Sequence, residues 1–350
     1  MPQLYVLGGV RVRLVVDGFG KFLGVQGETL VVREEGKTVA HVHPRELEQV
    51  IISGKGSVST DALRLLAEHG VEVLVVDFKG EVMALLMPPM MRTVSTRREQ
   101  YFASRDSRGT EIAKAVVHAK MKNQKAVLGT LAKVRKDTDP ELAERMYASA
   151  GEIEKLCEEV RLVKGGTVEQ VRETLMNLEG RAAGFYWDAL KGILEKLGFG
   201  ERSGRYARDP ANALLNYGYG ILLGDVWRAV HYAGLDPYGG FLHADRPGKP
   251  SMVLDLMEEF RPHVVDRLVV KLVSKRMVSP EGFEVVNGVC QMRDEVRHFY
   301  LEQVLGELAS EVRYKDQKFT WSELILYQAR QLAKFLRGEV ASYEGFWQRW

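Results

Sequence analysis

Cysteine is almost missing from this 350-residue chain; Cys157 and Cys290 are the two it has, far apart and outside any CxxC pair. That argues against a disulfide framework and against a cysteine zinc site, and both read as reduced, mostly buried thiols. Long apolar runs are also missing. The nearest approach, Val71 to Met91, is interrupted by Asp77, Lys79 and Glu81, short of the ~18 uncharged apolar residues that a membrane span needs. The start, MPQLYVLGGVRVRL, lacks the basic residues and apolar run of a signal peptide. A cytoplasmic protein with no membrane partner is expected. An excess of one charge is lacking too: 49 Lys and Arg stand against 47 Asp and Glu, for a formal net charge of +2. The whole-chain charge therefore announces no nucleic-acid partner. Internal repeats and low-complexity segments are absent.

What is present is a globular composition, with 45% apolar and 27% charged residues. It excludes a disordered chain, a collagen and a coiled-coil rod. The length suggests about two domains, and the chain changes character near residue 90. Residues 1–90 carry short β-branched runs, VRVRLVV, TLVVREE, KTVAHVH and QVIISG, punctuated by Gly18, Gly20, Gly27, Gly36 and Gly54. Glu35-Gly36-Lys37 reads as a hairpin tip. One helix interrupts the strands, capped near Ser59 and closed by Gly70. VEVLVVDF and EVMALLM follow as strands joined around Lys79-Gly80. This predicts a small β-sandwich or barrel-like module ending at Pro88-Pro89, where a linker begins. Residues 91–350 read as helical almost throughout. Asp139-Pro140 and Asp209-Pro210 start helices, and Thr167-Val-Glu-Gln has the form of a capping box. The fold class is thus α+β: a small N-terminal β-sandwich followed by a larger all-α domain.

Charge is uneven along the chain. Residues 1–90 hold 9 basic and 11 acidic residues, whereas residues 91–140 hold 12 basic and 5 acidic. The basic stretch suits phosphate contact, although a solvated helix face with excess lysine looks the same.

Three places carry candidate chemistry. Glu179 sits on a predicted helix among Gly180, Ala182 and Ala183, small residues that let a ligand or another backbone approach; a solvated surface acid would look no different. His243 lies in the turn-rich loop GLDPYGGFLHADRPGKPS, where an imidazole can bind metal or handle protons, or simply be hydrogen-bonded. The helix MVLDLMEEFRP puts Asp255 and Glu258 on one face at i and i+3, with Glu259 also within reach of Asp255. Such like charges destabilise a helix unless solvent or a cation compensates. Two carboxylates and an imidazole suit Mg²⁺ or Mn²⁺.

The order of these segments resembles a known family. GSVSTDALRLLAEHGVEVLVVDFKGEVMA, RREQY with IAKAVVHAKMKNQKAVL, LEGRAAGFYW, and DPANALLNYGYGIL with AVHYAGLDPYGGFLHADRPGKPSMVLDLMEEFRP are similar to the CRISPR-associated adaptation endonuclease, the subunit that integrates spacers into CRISPR arrays. The likeness covers about residues 1–275. It implies an N-terminal β-sandwich (residues 1–90) and a helical catalytic domain (residues 91–350); the low positive charge of residues 1–90 suits dimerisation better than DNA contact. The resemblance implies a homodimer, a small CRISPR-associated partner subunit, and double-stranded DNA as substrate, both as spacer precursor and as CRISPR repeat. Residue by residue, it assigns Glu179, His243 and Glu258 as catalytic metal ligands for Mg²⁺ or Mn²⁺, with Asp255 as a supporting acid. Here Glu258 stands where some relatives carry Asp. Arg246 and Lys249, in the His243 loop, are candidate DNA contacts, with Arg261 and Arg267 weaker ones because helix-surface arginines are common. Asn212, Asn216, Tyr217 and Tyr219 either orient DNA or serve packing and capping. A nuclease for branched DNA in repair would carry the same residues, whereas intact Glu179, His243 and Glu258 argue against a non-catalytic DNA-binding scaffold.

Overall fold

The computed structural model describes residues 3–6 (backbone only), 12–87, 94–204 and 206–348. The expected linker at Pro88-Pro89, and with it the boundary at residue 90, lies outside the described residues.

The N-terminal part is built from β1 (Gln3–Val6), β2 (Val12–Val16), β3 (Phe19–Gln26), β4 (Thr29–Glu34), β5 (Lys37–Val42), β6 (Leu47–Ile52), β7 (Lys55–Val58), α1 (Thr60–Glu68), β8 (Glu72–Val76) and β9 (Val82–Leu86). They form a five-stranded sheet ordered β1-β2-β6-β8-β9 and a four-stranded sheet ordered β5-β4-β3-β7. The hairpin tip falls as expected between β4 and β5. Glu35 and Gly36 both take positive φ there, +49° and +77°, the backbone of a tight two-residue hairpin turn. The Ser59 hydroxyl caps α1 by accepting from the Ala62 amide at 3.1 Å.

Alternation along the central strands explains how this module joins the rest. Leu14, Val16, Val50 and Val73 point into a core between the two sheets and α1, with Leu23, Leu30 and Leu66. Val15, Ile51 and Leu74, one residue out of phase, point the other way into the large helical core. Period-2 geometry thus buries β2, β6 and β8 on both faces. The pairs β2–β6 and β6–β8 are parallel, as suits strands covered on both sides.

Polar contacts fasten the same junction. The Arg13 guanidinium, fully buried, donates to Asp225 Oδ1 at 2.5 Å and to the Ser322 hydroxyl at 3.1 Å. Glu72 is buried nearby on β8. Burial pushes its carboxyl up to about 8 from an ordinary 4.5, partly opposed by Arg13. The folded state therefore binds more protons than the unfolded chain between those pH values, and stability is lost as pH rises through the window. Glu72→Gln is expected to change little at pH 4.5 and to gain a few kcal/mol over wild type by pH 8. Urea unfolding at both pH values measures this; an equal gain at each would contradict it.

The helical part contains α2 (Val94–Ala103), α3 (Ser107–Arg135), α4 (Pro140–Leu162), α5 (Val168–Leu194), α6 (Pro210–Tyr232), α7 (Ser251–Glu258), α8 (Arg267–Ser274), α9 (Asp294–Ala309) and α10 (Trp321–Leu336). Several predicted starts hold. Asp139 caps α4 and Asp209 caps α6, each before a first-turn proline, and the Gln170 side chain returns to the Thr167 amide at 3.3 Å. Two features differ from the sequence reading. The helical stretch from residue 92 breaks at 104–106, where Asp106 recaps the chain for α3. Two short hairpins, β10 (Phe283–Val286) with β11 (Val289–Met292) and β12 (Glu311–Tyr314) with β13 (Gln317–Thr320), sit among the helices. Their four-residue strands are too short to give a periodic signal.

α6 runs against the β8–β9 turn at very close range. A Cβ on Gly220 would fall 1.6 Å from the Gly80 carbonyl oxygen, so only glycine fits there. Cys157 and Cys290 are both buried and unbridged. Among the described residues, no helix is long and apolar enough to cross a membrane.

Candidate active site

Three elements distant in sequence converge beside α3. Glu179 lies midway along α5, seven residues and so two turns beyond Arg172. Arg172 donates to the carbonyls of Phe241 (3.0 Å) and Leu242 (3.2 Å). α5 therefore supplies one site acid and also clamps the loop that carries His243. The loop's other anchor is Asp255. It is fully buried and accepts from the backbone amides of Phe241 (2.6 Å), Leu242 (2.9 Å) and His243 (2.9 Å). Its Oδ1 also pairs with His243 Nδ1 at 2.7 Å. Gly240 allows this fit, because a Cβ there would come 2.5 Å from Ser251 Cβ at the start of α7.

Asp255 and Glu258 share one face of α7, as their spacing requires, but they do different work. Asp255 turns to the loop, while Glu258, at the last turn, faces α3. Its Oε2 lies 2.6 Å from Lys120 Nζ, and its Oε1 lies 3.3 Å from Arg261 Nε. Glu179 Oε1 meets the same lysine ammonium. One cation thus bridges two carboxylates that are 79 residues apart in the chain. Burial alone would push the Glu258 carboxyl up, yet Arg261, Lys120 and His243 together hold it down at about 2. The acid is therefore ionised at neutral pH, and His243 is close enough to contribute to its charge state.

Among the described residues, no three His, Cys, Asp or Glu side chains stand close enough to hold a metal as they are. The reason is visible: Lys120 Nζ occupies the point between the two carboxylates. The chemistry nevertheless fits. Glu258 is ionised, and its buried Oε2 has a charge contact with Lys120 but no hydrogen bond. The ammonium is a stand-in cation on the two acids, and Asp255 occupies Nδ1 of His243, leaving Nε2 as the available donor. The site opens into a cavity of about 280 Å³ lined by Lys120, Glu179, Trp187, Arg202, Tyr219 and Arg261.

The other candidates divide. Arg246 is exposed and Lys249 half-buried, in the His243 loop. Arg261 is a site residue rather than a helix-surface arginine: it pairs with Glu258 and lies over the Tyr219 ring, 4.7 Å from its centroid. Arg267 pairs with Glu307 at 2.6 Å. Tyr217 is fully buried, its ring 6.1 Å from that of Tyr300, so it packs the interior instead of facing DNA. Asn216 and Asn212 accept from Arg202 (2.7 and 2.9 Å) and donate to the carbonyls of Gly204 and Glu201. They fasten the loop before α6. Tyr219 and Tyr186 both donate to the buried Asp266.

Sequence reasoning missed Lys120. Its signal was available: on α3 it interrupts a stripe formed by Val116, Val127 and other buried residues, where a polar side chain is out of place. The basic stretch 91–140 is also less available to phosphate than its composition suggested. Lys120 is paired with Glu179 and Glu258, Lys122 and Lys125 both reach Glu154 (2.6 and 3.0 Å), and Arg108 pairs with Glu99 and Asp106. The final residues, also unassigned from sequence, support α7. Glu259, next to Glu258, accepts from the Tyr343 hydroxyl at 2.5 Å and the Phe346 amide at 2.7 Å.

Comparison with known proteins gives the family and the fold. The family model described as CRISPR associated protein Cas1 matches residues 14–305. A curated relative, CRISPR-associated endonuclease Cas1 1 of Archaeoglobus fulgidus, is 46% identical over 97% of this chain and 100% of its own length. Among solved structures, a casposase bound to integration product superposes with a TM-score of 0.77 at 24% identity, covering 95% of this chain and 92% of that one. A chain of a Cas6-RT-Cas1–Cas2 complex gives 0.80 at 20% identity, covering 99% of this chain and 37% of that one. The chain belongs to the CRISPR-associated Cas1 endonuclease family.

Proposed function

We propose that this Cas1-family chain integrates short DNA duplexes into CRISPR repeats at the Glu179–His243–Glu258 site, with Mg²⁺ or Mn²⁺ as the working ion. The observation that carries the reading is the convergence of Glu179 and Glu258 on one cation position, beside a histidine held by a buried acid. When bound there, a divalent ion would polarise the scissile phosphate and stabilise the charge that develops on it.

The chain's own residues do the rest. Asp255 fixes the orientation of the His243 ring through Nδ1 and leaves Nε2 as its available donor. Glu258 stays ionised because of its cationic neighbours. Arg261, braced on Tyr219, keeps a positive charge at the cavity wall, suited to a phosphate oxygen. Arg246 and Lys249 on the loop rim add phosphate contacts that carry no base information. The attacking group is a DNA 3′-hydroxyl in integration and water in nuclease action. The Cas1–Cas2 assembly among the solved relatives favours a small CRISPR-associated partner subunit. A homodimer using the N-terminal β module (residues 1–90) and double-stranded DNA belong to the same proposal.

The test is joining of a short duplex to repeat DNA by the full chain, with and without the small partner, in Mg²⁺, Mn²⁺ or EDTA. Joined product in either ion and none in EDTA is expected. Equal joining in EDTA would refute the metal reading. Cutting of branched DNA without any joining would favour the repair-nuclease reading.

A further inference from the structure

The proposed chemistry gives Lys120 no role. Its ammonium touches both Glu179 and Glu258, at the point where the two acids would share an ion. Its side chain is only 14% exposed, so water does little to screen it. A buried carboxylate without a partner is strongly disfavoured, and two facing each other more so. Some cation must therefore stand between these acids whenever a metal does not. Lys120 and a divalent ion cannot both occupy that point, since their positive charges would repel at about ionic contact distance.

We propose that Lys120 is a built-in counter-ion that holds the metal position in the metal-free protein and withdraws when the divalent ion enters. Lys120 is thus a positioning residue: it keeps Glu179 and Glu258 converged between rounds of metal binding, and it weakens metal affinity by competing for the same two carboxylates. The cavity beside it, bordered by Glu179, Gln124 and Arg261, gives the displaced side chain room to move. The inference rests on the metal reading of the site and adds a competitor to it.

The experiment compares Mn²⁺ binding by the full chain and by Lys120→Met, which keeps a long unbranched side chain without charge. Calorimetry, or electron paramagnetic resonance of free Mn²⁺, gives the dissociation constant. With the competing state removed, Lys120→Met should bind Mn²⁺ about tenfold more tightly or better, while its metal-free melting temperature falls and is restored by Mn²⁺. Equal or weaker binding by the variant would overturn the role of Lys120 and leave the site assignment standing. A wild-type chain that binds no Mn²⁺ would overturn both.

A second measurement uses wild type alone and does not depend on the variant folding. Reductive methylation at Lys120, read by mass spectrometry, should rise when Mn²⁺ is added, because the amine leaves its two carboxylates. Unchanged or reduced labelling would overturn the displacement.

Discussion

Glu179→Ala and Glu258→Ala should both abolish strand transfer, and they should differ sharply in stability. Each removes one of the two carboxylates proposed to hold the ion that would stabilise charge on the phosphate. By comparison with the loss of one preorganised stabilising group, that is a loss on the order of 10²–10³-fold or more. Glu179 is part-exposed, and without it Lys120 keeps its 2.6 Å contact with Glu258. The expected loss of stability is about 1 kcal/mol. Glu258 is buried and is the shared partner of Lys120 and Arg261. Removing it strands two cations, an effect of roughly 3–5 kcal/mol. Strand transfer and chemical unfolding on the same preparations measure both effects. Full activity in either variant would remove that residue from the site, and equal stability of the two would contradict the charge arrangement.

Asp255→Ala is expected to be as severe by another route. Asp255 touches no substrate position. It satisfies three consecutive backbone amides and the His243 ring at once. Without it those buried donors lose their acceptor, a penalty of about 1–3 kcal/mol for each group left unpaired. The ring also loses the contact that sets its orientation. Removing an outer partner of a metal-ligating histidine lowers metal affinity about 10–100-fold. Mn²⁺ titration of Asp255→Ala should show a loss of at least that size, with a lower melting temperature. Near-normal affinity would mean that Arg172 and the packing around Gly240 hold the loop unaided.

The local parts of this structure were legible in the sequence because their causes are local. Ser59, Asp139 and Asp209 cap helices through bonds to residues two or three positions on, and Glu35-Gly36 turns a hairpin by its own backbone preference. The β-sandwich followed by helices was readable from a change of period near residue 90. Glu179, His243, Asp255 and Glu258 were each a weak candidate from local context, and the family resemblance joined them into one proposed site. What stayed hidden depends on contacts between distant segments. Lys120 reads as one more basic residue until α5 and α7 bring two acids to it. Tyr217 and Asn216 look available on a helix until the strand module and the loop before α6 cover them. The support that Tyr343 and Phe346 give α7 through Glu259 spans more than 80 residues. The hairpins among the helices are too short for periodicity to announce.

The most direct test of the account is the position of Mn²⁺ in crystals of the full chain, located by its anomalous scattering. The account predicts one strong peak bonded at roughly 2 Å by carboxylate oxygens of Glu179 and Glu258 and by His243 Nε2. A peak held by other residues, or Mn²⁺-saturated crystals with none at these three, would contradict it.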